Sequence, residues 1–299
     1  MSMVIRAGAL ILLVACLAAV YFTIRIGMAD YYSQQGYDVM ASWDSDNPMS
    51  EASWQHAFDL IEEARNLSPS NPVFPQRHAR LHRMKVTNGF VKAQAREDSL
   101  QQAIEDLDAS LTIRPFWPSA WAELAYVRWL RVNAGAEYEE ALTNANRYGP
   151  WEPMVIRVTV LLGRRDQAYL FSHGYQDLVL DAYVRGLRSS VRGLPKDILR
   201  QLKSHRNVQR RVIGRLVPYL IAPWPRGKSD DFFELIDWGW DKFDTEAHDQ
   251  IMTSTMNAVS KFRTPRFWVS SAKNEELRSR VCEGFKELGK GDGLERWCG

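Results

Sequence analysis

No stretch of these 299 residues alternates apolar and polar side chains as a half-buried strand requires, which leaves helices as the repeating element. Catalytic fingerprints are missing as well: there is no GxSxG elbow, no GxGxxG turn and no Cys/His nucleophile signature. Gly227-Lys228-Ser229 resembles the end of a phosphate-binding loop. The loop's first glycine would fall at Ala222, however, and Pro223 and Pro225 remove amide donors that should cradle a phosphate. Excess charge of one sign is absent too. Lys and Arg number 38 against 36 Asp and Glu, so no global attraction to nucleic acid is implied. Cysteine is scarce, three in all, and Cys16 lies inside an apolar run. That leaves Cys282 and Cys298. In an oxidising compartment this pair can tie the tail to the last helix; elsewhere they are two separate thiols.

The one long apolar run is Ala7 to Ile24, bounded by Arg6 and Arg25. At about 1.5 Å per residue it nearly crosses a hydrocarbon core of about 30 Å, and Met3–Val4 and Ile26–Met28 extend it. Residues 1–28 therefore read as a single-pass signal anchor. Leu13-Val14-Ala15-Cys16 also fits a lipoprotein cleavage box, but the apolar run continues well past Cys16. Arg6 and the amino terminus oppose Arg25, so the positive-inside signal is weak. A short N-terminal tail is easily left inside, which places the bulk of the chain outside the cytoplasm. Residues 29–49 are mixed and polar and read as a juxtamembrane linker, with Tyr31, Tyr32 and Tyr37 at the headgroup level, a turn at Asp44–Pro48 and Ser50 as a helix cap.

Beyond the linker one pattern recurs three times: Pro69-Ser-Asn-Pro72, Pro115-Phe-Trp-Pro118 and Pro150-Trp-Glu-Pro153. Aligned on the first proline, Ala57, Ala103 and Tyr138 share a column. So do Ile61, Leu107 and Leu142; then Ala64, Ser110 and Ala145; then Leu67, Ile113 and Tyr148. Spacings of three and four put these positions on one helix face, with small side chains where a neighbouring helix must come close. The first proline stops a helix, and the second can sit in the first turn of the next. The first prolines are 46 and then 35 residues apart. The second interval is near the roughly 34-residue tetratricopeptide period. The excess in the first is expected around Thr87–Arg96. Trp121, Leu124 and Ala125 occupy the apolar positions of a tetratricopeptide first helix.

The expected architecture is thus all-α: a transmembrane helix, then a tetratricopeptide-like α-solenoid of hairpins over residues 50–163. A C-terminal helical region, 164–299, follows. There a short hairpin is expected around Gly163, with later breaks at Gly193-Leu-Pro195, Ala222–Gly227 and Thr264-Pro265.

Candidate binding residues are few. His78 and His82 have a zinc-compatible i, i+4 spacing, but no carboxylate completes a HExxH pattern, and Arg77, Arg80 and Arg83 would repel a cation. No metal or cofactor is expected. The densest charge feature comprises Arg185, Arg188, Arg192, Lys196, Arg200, Lys203, Arg206, Arg210, Arg211 and Arg215, against Asp197 alone. It reads either as a dock for an acidic glycan, lipid headgroups or a protein, or as a solvated face. In the second case Asp230, Asp231, Glu234, Asp237, Asp241 and Asp244 would answer it. Eleven tryptophans are many for this length. Trp117, Trp121, Trp129, Trp238 and Trp240 can stack on sugars, yet Trp121 and Trp129 share a face with Leu124 and Val132, which favours core packing.

The anchor, "LTIRPFWPSAWAELAYVR" and "EEALTNANRYGPWEP" together resemble a bacterial family, the tetratricopeptide-like VpsP-type proteins of exopolysaccharide clusters. The resemblance runs from the anchor to Gly163. It implies a non-enzymatic accessory protein tethered in the inner membrane, its soluble part in the periplasm, binding envelope polysaccharide-assembly proteins, and it transfers no catalytic residue. The rival expectation is a direct glycan binder, or a carbohydrate-active enzyme, using exposed tryptophans and segment 185–215.

Overall fold

Helices account for all the regular structure that the computed structural model describes, namely residues 2–44, 46–132, 136–220, 229–243, 245–262, 269, 272–287 and 298. No strand occurs among them. The chain divides into two compact units, Met1–Val158 and Thr159–Gly299.

The first unit opens with α1, Ser2–Ala41, whose N-terminal part is long and apolar enough to cross a membrane. The expected linker is different from what sequence composition suggested: residues 29–41 continue α1 without a break. The reason is a buried stripe, three of whose four side chains are small. Ala29, Ser33, Gly36 and Met40 are buried at spacings of four and three. They face α2 (Glu51–Leu67) and α3 (Val73–Thr87), with Ala29 against Ala64 and Phe74, and Met40 against Trp54, Ala57, Ile61 and Leu81. Of the described residues, 42–44 and 46–50 lie outside helices; there Asp44 Oδ1 accepts the amides of Asp46 and Asn47, both at 2.8 Å. Ser50 then caps α2 through a reciprocal box with Ser53.

Each later helix of this unit packs on the one before it: α4 (Ala93–Ile113), α5 (Pro118–Val132) and α6 (Ala136–Tyr148). All three proline corners separate helices as expected. Pro72 precedes α3, while Pro118 and Pro153 are the first residues of α5 and of α7 (Pro153–Arg165). Trp121 Nε1 donates to Pro115 O at 2.7 Å, which pins the second corner to its own helix. The excess residues of the first interval lengthen α4 to 21 residues. Ala57, Ile61, Ala64, Ala103, Leu107, Ser110, Leu142 and Ala145 are all fully buried, and Tyr138 nearly so. The fourth column departs from expectation. Leu67 and Tyr148 are half-buried and Ile113 is exposed: in the last turn Leu67 still reaches the Ala29–Phe74 cluster and Tyr148 the Phe116 ring, so the column is covered on one side only.

In the second unit Gly163 does not turn the chain. It lies within α7, and the break falls at Asp166, ahead of α8 (Gln167–Ser172). Next, α9 (Gln176–Arg188), α10 (Leu194–Ser204) and α11 (Arg206–Leu220) pack on one another. Gly193 takes a φ of +82° before α10, a conformation costly for any side-chain-bearing residue. Then come α12 (Ser229–Gly239), α13 (Thr245–Phe262) and α14 (Glu275–Glu287). Asp237 Oδ1 accepts the amides of Lys273 and Asn274, both at 2.8 Å, at the entrance to α14. Cys282, on α14, is disulfide-bonded to Cys298. The breaks expected at Ala222–Gly227 and Thr264-Pro265 lie outside the described residues.

Candidate functional site

The polar groups of the first unit converge on α3. Arg77, His78 and Arg83 leave that helix in different directions, and each meets a different neighbour. Arg77 Nη1 donates to Ser33 O at 2.7 Å and to Ser33 Oγ at 2.6 Å, and its guanidinium lies 4.8 Å over the Tyr37 ring, both residues on α1. Arg83 Nε donates to Glu123 Oε1 at 2.6 Å; Glu123, on α5, is 2% exposed. His78 Nδ1 donates to Asp106 Oδ2 at 2.6 Å, on α4. Arg65 Nη1, from α2, approaches Asp106 Oδ1 at 2.9 Å as a charge contact rather than an aligned hydrogen bond. His78 Nε2 is 3.4 Å from Glu62 Oε2. The charges thus tie four helices to α3.

His78, His82 and Asp106 bring one donor atom each within 4.8 Å of one another. The carboxylate that no local motif supplies therefore comes from the next hairpin, and two of the three arginines expected to repel a cation point elsewhere. A fourth, Arg65, stands on Asp106 itself. Its charge and the His78 proton already engage both carboxylate oxygens, so the arrangement serves as a buried ion pair in its own right. Sequence reasoning missed Asp106, although a signal exists. It falls three residues after Ala103 and four before Ser110, on the face that the repeat columns mark as buried.

His82 differs from its neighbour. Both of its ring nitrogens are buried without a hydrogen-bond partner, and the ring meets Trp54, Phe58 and His78 edge to face. Burial first, then the nearby His78, Lys85 and Arg65 against the opposing Asp106, lowers its pKa from 6.5 to about 4. The unfolded chain therefore takes up a proton that the folded chain refuses between those values. Stability is full above pH 6.5 and declines as pH falls towards about 4, by on the order of 2–3 kcal/mol. In His82→Leu this slope should vanish from the difference between variant and parent denaturation midpoints measured across the window. An unchanged slope would refute the buried neutral imidazole.

The basic residues of the second unit do not form one open surface. Arg185 is half-buried, and burial pushes its guanidinium down, opposed by Asp181. The Arg188 guanidinium lies 3.6 Å over the Tyr219 ring. Arg215 is ion-paired with Asp177 and Asp181, acids that lie upstream of the expected group. Lys203 reaches Glu234 at 3.6 Å, and Arg200 reaches Asp197 at 3.9 Å. Arg192, Lys196, Arg206, Arg210 and Arg211 are exposed and make no ion pair with a described residue. Of the expected acids, Asp237 and Asp241 serve the entrance to α14, Asp241 through Asn274 at 2.8 Å. The side chains of Asp230, Asp231 and Asp244 lie outside the described set.

Among the described tryptophans, Trp54 and Trp240 are buried and Trp43, Trp117, Trp121, Trp129 and Trp238 half-buried, while Trp151 is exposed. No protein-family model matches this chain, and neither does any curated protein.

Proposed function

We propose that this chain is a membrane-tethered, non-enzymatic adaptor. Its tetratricopeptide-like hairpins, stacked as a short solenoid, bind other envelope proteins in bacterial exopolysaccharide assembly or export. The observation that carries the reading is the continuity of α1. A segment apolar enough for a bilayer runs straight into the stripe that packs on α2 and α3, so hairpins and anchor are one rigid piece. The three proline-cornered hairpins with buried small residues support the repeat assignment. Tethering confines the unit to the membrane plane and raises its effective concentration towards membrane partners. An inner-membrane location with the soluble part in the periplasm fits the Cys282–Cys298 disulfide. The exposed cations Arg192, Lys196, Arg206, Arg210 and Arg211 are the residues of segment 185–215 that remain for an acidic partner.

The reading is tested by crosslinking in the intact cell followed by purification of the full chain. Recovery of polysaccharide-assembly proteins of the membrane supports it, and their absence from repeated captures overturns it. A C-terminal alkaline phosphatase fusion is expected to be active, and an inactive one would place residues 29–299 in the cytoplasm.

A further inference from the structure

The three proline corners lie side by side at one end of the first unit. Ser110 Oγ donates to Pro72 O at 2.9 Å and Gln76 Nε2 to Ser119 Oγ at 3.2 Å, which joins the first corner to the second. The Phe116 and Tyr148 rings meet edge to face with centroids 5.1 Å apart, and a Cβ on Gly149 would come within 2.5 Å of the Pro118 ring, which joins the second to the third. This is also the end at which α1 arrives. Arg25 Nη2 donates to Asn66 O at 3.1 Å, and Ala29 packs on Ala64 and Phe74, whereas Met40 lies by Trp54 at the far end of α2. Residues 10–24 of α1 therefore project beyond the corners, and the first corner sits where the apolar run stops.

Among the hairpins α2–α6, the corners display the largest exposed apolar side chains. Phe116 is 70% exposed, Trp151 53% and Ile113 45%. Arg114 and Arg147 are exposed beside them, their guanidiniums 4.6 Å over Trp117 and 5.8 Å over Tyr148. The sole acid within the three corners is Glu152. At the opposite end, the loop between α3 and α4 offers Phe90 at 37%. Large apolar side chains rimmed by arginine mark an interaction surface. Aromatic and basic side chains at the depth where a helix leaves the hydrocarbon are the composition of a bilayer interface. Arginine adds bidentate hydrogen bonds to phosphate.

Resting on the membrane-anchor reading above, we propose that the end built from the three proline corners lies on the phospholipid surface. Phe116, Trp151 and Ile113 enter the headgroup layer, and Arg114 and Arg147 engage lipid phosphates. The unit is then held to the membrane at two places, by α1 and by the corner row, and stands in one orientation.

The test uses the full chain in vesicles of phosphatidylethanolamine and phosphatidylglycerol, with an environment-sensitive NBD fluorophore on one cysteine at a time. Native Cys16 is one site. Phe116→Cys, Trp151→Cys and Asn88→Cys, each in a Cys16→Ala chain with the Cys282–Cys298 disulfide left intact, are the others. All three replaced residues are exposed, and far-UV circular dichroism of each labelled variant verifies that the helices are kept. Blue-shifted emission quenched by nitroxide lipid is expected at 16, 116 and 151, with an aqueous spectrum at 88. Aqueous spectra at 116 and 151 beside a lipid-quenched Cys16 overturn the proposal and leave the anchor standing. An aqueous Cys16 removes the anchor and this proposal together. Quenching at 88 equal to that at 116 also overturns it, since the unit would then have no preferred orientation.

Discussion

Asp106→Ala is expected to cost the first unit about 3–5 kcal/mol, the usual loss when one partner of a buried ion pair is removed. Asp106 is 1% exposed, and its oxygens answer both the His78 imidazole at 2.6 Å and the Arg65 guanidinium at 2.9 Å. Alanine leaves both without their acceptor and opens a void where α2, α3 and α4 meet. Arg65 is one-third exposed and recovers part of its hydration, which puts the outcome towards the lower end of the range. Asp106→Asn keeps the volume and one acceptor and should lose less. Replacing the pair together, His78→Phe with Asp106→Leu, should return most of the stability, because apolar residues of similar size need no partner. Urea denaturation followed by circular dichroism separates these cases. A loss below about 1 kcal/mol for Asp106→Ala, the size of an ordinary surface effect, would show that the pair is not a structural tie.

The second large effect belongs to Gly163. A Cβ built there would lie 2.3 Å and 2.9 Å from the two methyl carbons of Val179, which is itself fully buried on α9. Valine in a helix has essentially one rotamer, so Val179 cannot swing aside and the two helices must separate instead. Gly163→Val should therefore destabilise the second unit by about 2–3 kcal/mol through overpacking. Gly163→Ala is the sharper probe. Helix propensity alone would make it stabilising by about 1 kcal/mol, whereas close packing makes it destabilising. Val179→Ala in the same chain should restore the propensity gain. A stabilising Gly163→Ala in the parent would mean that α7 and α9 do not meet at this glycine.

These two sites also mark where sequence reasoning worked and where it stopped. Proline corners and the columns through Ile61, Leu107 and Leu142 were legible because each signal is local: a ring that ends a helix, and apolar positions recurring on one face. Gly163 was not, since a glycine reads alike whether it turns the chain or admits a neighbour, and which of these it does depends on Val179, sixteen residues later. Residues 29–41 were misread as linker on their polar composition. The stripe Ala29, Ser33, Gly36, Met40 carried the opposite message, in side-chain size rather than hydrophobicity. The candidate site was legible only as two histidines. Glu62, Arg65 and Asp106 come from helices on either side, so no spacing within α3 could announce them. In the basic segment, charge was visible but its destination was not. Arg188 lies over Tyr219 and Arg215 pairs back to α9, contacts set by how three helices nest.

Because α1 runs as 40 helical residues, it is a rod of roughly 60 Å with no swivel between its greasy half and the half that bears the hairpins. The first unit therefore stands like a flag nailed to a pole rather than a ball on a string. On the membrane-anchor reading, any lean of the pole in a thinner bilayer is passed undamped to the hairpins, and the corner row resting on the lipid surface is what opposes it.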